Sequence, residues 1–101
     1  MEDRRKHIRI TYFTEVQWGV AGAKYEGKIS DISAGGAYVD SIMPCPERTI
    51  ITLKFKLPEG QELSLQAVVK NSTPGMGMGV EFINLRDIEK ELLSNFVKEY
   101  S

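Results

Sequence analysis

The sequence predicts a mainly β domain, a small closed barrel of about six short strands followed by one C-terminal helix. Three observations favour this fold class. Apolar and polar residues alternate with a period of two through most of residues 8–82, which is typical of strands with one buried face. Turn-forming glycines and prolines separate the alternating segments. From residue 85 the apolar residues recur at helical spacing, and such a helix would pack on the side or mouth of the barrel.

The first half of the chain contains three predicted strands. Alternation over residues 8–12 and again over residues 16–20 predicts one strand that a bend or bulge interrupts near "FTE". "AGAK" supplies a turn into the second strand, "YEGKISDIS", and "GGAYVD" forms a short third strand. The proline-containing segment "SIMPCPER" predicts a loop before the next strand.

The second half predicts a hairpin and a final strand. "TIITLKFKL" alternates most clearly, with Ile51, Leu53 and Phe55 facing one way and lysines and threonine facing the other. "PEGQ" is a turn, and "ELSLQAVVK" returns with its own apolar face, so we expect the two strands to pair antiparallel. "NSTPGMG" then leads to the last predicted strand, "MGVEFI".

Residues 85–100 predict one amphipathic helix. Charged residues separate the apolar positions and are expected to form its solvated face. Asn84 is a credible N-cap, with Asp87 three residues further on. The apolar positions at helical spacing are Leu85, Ile88, Leu92, Phe96, Val97 and Tyr100.

Length and composition indicate one globular domain over residues 1–101. No apolar run is long enough to cross a membrane, and the charged N-terminus does not resemble a secretory signal, so we expect a cytoplasmic protein without membrane insertion. Cys45 is the only cysteine and His7 the only histidine, which disfavours metal sites and Cys-His or Ser-His catalysis. We therefore expect no enzymatic activity and no cofactor.

Charge is distributed unevenly along a chain whose net charge is −1. Residues 1–9 contain four basic residues against two acidic ones, whereas residues 81–101 carry an excess of acidic residues. We call residues 1–9 the basic arm and expect it to be flexible, with the barrel over residues 10–84 and the helix over residues 85–100. A long nucleic acid would require a wider basic surface, so the expected partner of the arm is a small anion.

The segment "DISAGGAY" allows two interpretations. In the first, it is a β-turn in which Asp31 forms an Asx-turn and the glycines adopt positive φ. In the second, it binds a ligand: the Asp31 carboxylate accepts two N–H groups from a guanine edge, and Ser33 hydrogen-bonds beside it. Gly36 then lacks the side chain that would keep a planar base or a phosphate away.

Two motifs in order resemble a known family. Arg5 and Arg9 form "RxxxR", and Asp31, Ser33 and Gly36 form "DxSxxG" within "DISAGGAYV". Together with "GMGVEF" they resemble the PilZ domain, a bacterial receptor module for cyclic di-GMP. The resemblance extends over essentially the whole chain.

That resemblance implies a six-stranded antiparallel barrel that binds the dinucleotide at one end, with the basic arm folding across the ligand. The five motif positions correspond to ligand-binding residues of the family. Arg4 adds a basic residue before the motif, which in the family tends to accompany capture of a stacked ligand dimer. Motility, exopolysaccharide production and biofilm formation are the processes the family controls.

The ligand's chemistry suits these residue types. An arginine fork can bind guanine O6 and N7 or phosphate oxygens in a bidentate manner, and its plane can stack on a base. Asp31 would favour guanine over adenine, because only guanine offers N–H donors at both N1 and N2. We favour a cyclic di-GMP receptor that signals to an unidentified downstream protein. The alternatives are a protein-interaction adaptor that does not bind nucleotide and a small nucleic-acid-binding barrel.

Overall fold

The computed structural model describes residues 8–100 and confirms the predicted class, a closed six-stranded antiparallel barrel with one C-terminal helix. The order of the strands around the barrel is β1-β2-β3-β6-β5-β4. The elements are β1 (Ile10–Val20), β2 (Ala23–Ile32), β3 (Gly36–Asp40), β4 (Ile50–Lys56), β5 (Glu62–Thr73), β6 (Gly77–Ile83) and α1 (Asp87–Tyr100).

The alternating pattern fills the interior of the barrel with aliphatic and aromatic side chains. In β4, Ile51, Leu53 and Phe55 are buried while their neighbours face solvent. Trp18 is also buried, as the alternation around it predicts, and its ring stacks on Tyr25 with a centroid distance of 5.8 Å. Burial of these apolar side chains is the main force that stabilises the barrel.

The predicted interruption of the first strand is confirmed as a register shift in the β1–β2 pairing between Thr11 and Thr14. The chain continues through it as one long strand, which is how a β-bulge acts. The strand begins at Ile10, and Ile8, which we assigned to the alternation, is exposed and precedes it. Phe13, within the irregular segment, is 72% exposed.

The start of the helix differs from the prediction. Asn84 is not the N-cap: its φ is 56°, and its side chain donates a hydrogen bond to Gln66 at 2.9 Å. The helix begins at Asp87, and the backbone N–H of Arg86 donates to the Glu89 carboxylate at 2.9 Å. This is one half of a capping box, in which a glutamate in the first turn satisfies a free N–H at the helix start.

The buried face of the helix also differs in part from the predicted one. Leu93 is fully buried, although the predicted spacing omitted it, whereas Ile88 and Tyr100 are largely exposed. Glu89, expected on the solvated face, is buried. Phe96 packs edge-to-face on Tyr12 at a centroid distance of 4.9 Å, so the helix covers the end of the barrel where β1 begins.

Among residues 8–100, no helix has the length and apolar character that crossing a membrane requires.

Candidate functional site

The segment "DISAGG" lies at the end of the barrel where β2 ends, β3 begins and β1 starts. Thr11 of β1 pairs with Asp31 of β2, which places residues just before β1 beside the end of β2. The antiparallel pairing of β1 with β2 therefore brings the two sequence motifs together, although about 20 residues separate them in the chain.

An ion pair joins the two motifs. Arg9 Nε and Nη2 both donate to Asp31 Oδ1, at 3.0 Å and 2.6 Å. Both side chains are only partly buried, with 40% and 37% exposure, so the pair contributes little to folding stability. Among the described residues no hydrogen bond to Asp31 Oδ2 is formed, which leaves this oxygen available to a ligand. Arg4 and Arg5, the other predicted arm residues, lie outside the described residues.

Ser33 organises the turn between β2 and β3. Its hydroxyl accepts hydrogen bonds from the backbone N–H groups of Gly35, at 3.2 Å, and Gly36, at 3.1 Å. The backbone N–H of Ser33 donates to the Gly36 carbonyl at 2.8 Å, and the side chain is buried. The expected turn is therefore present, but Ser33 forms it and Asp31 does not, because the Asp31 carboxylate binds Arg9 instead.

Gly36 is required by a close approach of two strands. A Cβ atom at this position would collide with the backbone carbonyl of Val80 on β6. The positive φ expected for the glycines of this turn is wrong, since neither Gly35 nor Gly36 has one. The missing side chain allows β3 to pair with β6 while the backbone of the turn lines the surface beside Arg9.

A groove of about 470 Å³ runs from this turn across the outer face of β3, β6 and β5. We call it the glycine groove, because Gly35, Gly36 and Gly79 contribute to its lining. Three of the predicted site residues line it, namely Arg9, Ser33 and Gly36. The other lining residues are Gly35, Tyr38, Lys70, Asn71, Gly79, Val80 and Glu81, which were not predicted as site residues.

These additional residues follow from the register of the barrel. Asp31 pairs with Tyr38, Tyr38 pairs with Gly79, and Gly79 pairs with Asn71. Directly paired residues share one face of a sheet, so these four positions form a transverse row on the outer face. The only signal in the sequence for these additional residues was the glycine-rich "GMGVEF", which indicates a strand whose backbone is little covered by its own side chains.

Charges in the groove are balanced by pairing. Lys70 Nζ lies 3.6 Å from Glu81 Oε1, and Arg9 is paired with Asp31. Over residues 8–100, no three histidine, cysteine or carboxylate side chains come close enough together to hold a metal ion.

Comparisons with known proteins cover nearly all of the chain. A family model described as "PilZ domain" matches residues 3–99. The inhibitor of motility MotI/DgrA from Bacillus subtilis superposes with a TM-score of 0.86 at 20% identity, covering 97% of this chain and 51% of that one. The PilZ domain of YcgR from Escherichia coli, solved with c-di-GMP, gives 0.79 at 14% identity, over 97% and 92% of the two chains.

The MrkH–c-di-GMP complex of K. pneumonia gives a TM-score of 0.80 at 18% identity, over 97% of this chain and 52% of that one. This chain therefore spans about half the length of MotI/DgrA and of MrkH. At these identities the structural likeness shows a shared fold. A search of curated proteins gives no match.

Proposed function

The chain belongs to the PilZ domain family, and we propose that it is a receptor for cyclic di-GMP. The observation that carries this proposal is the Arg9–Asp31 pair, in which the two motif halves meet beside a groove open to a ligand. Structures of the same fold from E. coli and K. pneumonia were solved with c-di-GMP, which supports the same ligand here.

In the proposed complex, Arg9 and Asp31 read one guanine. Asp31 Oδ2 accepts from the guanine N1–H and N2–H groups while Oδ1 stays bound to Arg9. The Arg9 guanidinium therefore still neutralises the charge of the carboxylate when the ligand displaces water. Arg5 of the basic arm binds phosphate oxygens or stacks on a base. Ser33 and Gly36 act on the ligand through the turn whose backbone they hold in place.

Signalling follows from the arm. Binding a dianion between the arm and the barrel would fix the arm across the groove and give a downstream protein a different surface to bind. In this proposal, Arg4 would recruit a second, stacked ligand. We propose that the protein acts in the cytoplasm as a receptor, without enzymatic activity and without a cofactor.

Titration calorimetry with cyclic di-GMP, linear pGpG, GTP and single-stranded DNA at two salt concentrations tests the proposal. Tight binding of the cyclic dinucleotide alone is the expected result. Binding of none of the four would contradict the receptor function and favour an adaptor that acts by protein contact. Steeply salt-dependent binding of DNA would instead indicate a nucleic-acid-binding barrel.

A further inference from the structure

We infer that Asn71 is a specificity-determining residue of the glycine groove, which donates through Nδ2 to the O6/N7 edge of the second guanine of the ligand. The inference rests on the proposed function, because it assigns a protein contact to the second guanine, which Arg9 and Asp31 do not contact. It concerns a residue outside both sequence motifs, on the opposite side of the groove.

The orientation of the Asn71 side chain is fixed by its neighbour across the strands. The register of β5 with β6 shifts between Val69 and Asn71, and the backbone N–H of Gly79 donates to Asn71 Oδ1 at 3.1 Å. Since a backbone N–H can only donate, the atom facing it must be the carbonyl oxygen, and the NH₂ group is directed elsewhere. No hydrogen bond donated by Nδ2 is formed within residues 8–100, and the residue is exposed.

Gly79 makes this arrangement possible. A Cβ atom at this position would lie 2.8 Å from Asn71 Nδ2 and 2.9 Å from Oδ1, so any other residue would displace the carboxamide. The amide therefore lies directly against the backbone of β6, at the surface of the groove. A planar ligand above Gly79 would meet the free NH₂ group at the edge of the strand.

The chemistry of the free NH₂ group favours guanine. An asparagine with both amide atoms available typically reads adenine, accepting from N6 and donating to N7. At Asn71 the oxygen is occupied by Gly79, so only a donor remains. Guanine presents acceptors at both O6 and N7, whereas adenine presents a donor at N6 that would face the amide hydrogens.

The position of Asn71 suits the second half of a two-base ligand. Asp31 and Asn71 occupy the two ends of the transverse row, three strand spacings apart, or about 14 Å. A single base cannot contact both ends. A cyclic dinucleotide has two guanines, so one can lie at Asp31 and the other over Gly79.

The test uses cyclic GMP–AMP with the same 3′,5′ linkages as a probe for the second base. Its guanine takes the Asp31 end and its adenine is left at Asn71, while its phosphates match those of cyclic di-GMP. The measured quantity is the ratio of the two dissociation constants, which cancels any effect of charge on the phosphates. For the unaltered protein we expect cyclic di-GMP to bind about tenfold more tightly or better.

Two variants and one control complete the design. Asn71→Ala removes the donor and should reduce the ratio to about two, the statistical advantage of a ligand with two identical halves. Asn71→Asp, which would accept from adenine N6, should reduce it further. Thr73→Asp, on the same strand and face, introduces an equal charge and should leave the ratio unchanged. Thermal unfolding of each variant confirms that it is folded.

The outcomes are separable. A ratio near two in the unaltered protein, or an unchanged ratio in Asn71→Ala, would overturn the role of Asn71 and leave the receptor function standing. Failure of the unaltered protein to bind cyclic di-GMP would overturn both proposals. A ratio that falls equally in Thr73→Asp would show that charge, and not base reading, distinguishes the ligands.

Discussion

At the scale of single residues, Gly36 has a role that its place in a turn does not suggest. Its missing side chain makes room for the Val80 carbonyl, so the contact it protects lies between two strands and not between protein and ligand. The same glycine also lines the groove beside Arg9. A substitution at Gly36 would therefore disturb the barrel and the site together.

The Gly36→Ala substitution should destabilise the domain by about 1–3 kcal/mol, the usual cost of forcing an extra methyl group into a packed position. Chemical denaturation measures this cost. Gly19→Ala is the matched control, because a Cβ there would meet its nearest neighbour, the Ala23 carbonyl, at an ordinary 3.5 Å. Equal unfolding free energies for the two variants would contradict the steric role of Gly36.

Loss of Asp31 or of Arg5 should separate binding from stability. We expect Asp31→Ala and Arg5→Ala each to abolish micromolar binding of cyclic di-GMP. The arginine and aspartate contacts together are worth about a hundredfold or more in affinity, and each variant removes part of them. Their thermal unfolding should change little, since the Arg9–Asp31 pair is partly exposed. Calorimetry and thermal melts on the same samples measure both quantities.

Glu15→Ala is a suitable control for the loss of Asp31, as Glu15 is an exposed carboxylate on β1 that does not line the glycine groove. Its affinity for the ligand should match that of the unaltered protein. Wild-type affinity in Asp31→Ala would remove this carboxylate from the binding site.

At the scale of elements, the helix start depends on Glu89. Its carboxylate accepts hydrogen bonds from the backbone N–H and the side chain of Arg86, at 2.9 Å and 3.0 Å. These contacts, first the backbone hydrogen bond and then that of the guanidinium, lower the pKa of Glu89 from its ordinary 4.5, against the opposing effect of burial. The charged form is therefore the one that stabilises the fold.

The sign of the pH dependence follows from the lowered pKa. The stabilisation is complete above the ordinary pKa of about 4.5 and is lost as the pH falls through the lower value of the folded state. At neutral pH, Glu89→Ala should lower the free energy of unfolding by about 1 kcal/mol, the typical value of a helix cap. The difference should shrink in acid, as measured by urea unfolding at several pH values.

Two further variants make this measurement specific. Glu89→Gln keeps an acceptor for the Arg86 N–H and should retain part of the stability while losing the pH dependence. Glu91→Ala removes an exposed carboxylate from the same helix and should have little effect. A Glu89→Ala difference that persists unchanged in acid would rule out the capping role.

The elements themselves were largely predictable because burial of one strand face produces a period of two in the sequence, as in β4 and β5. The helix start was not, since Asn84 has the residue type of a cap while its side chain donates to Gln66 on β5. Asp31 and Arg9 could be identified from their motifs. Asn71 and Gly79 could not, because their row depends on β3 pairing with β6, a contact between distant segments.

At the scale of the whole molecule, the candidate site lies at one end of the barrel, where β1 starts and β2 ends. The helix, the turn at Ser33 and the start of β1 all lie at this end, whereas the loops that join β1 to β2 and β5 to β6 lie at the other. A ligand in the groove would therefore connect the basic arm to the barrel without altering the core. In the proposed function, this separation would allow the arm to transmit a signal while the fold stays constant.

Amide hydrogen exchange over residues 3–9 should slow when cyclic di-GMP is added, because an arm that is fixed across the ligand hydrogen-bonds and excludes water. The effect should be local: exchange in β4, on the far side of the barrel from β3, should slow only by the general stabilisation that ligand binding confers on every amide. Arg5→Ala should abolish the local slowing even at ligand concentrations that saturate the barrel end of the site. Unchanged exchange in the arm at saturating ligand would mean that the site is rigid and preformed, and that a downstream protein recognises the bound nucleotide directly.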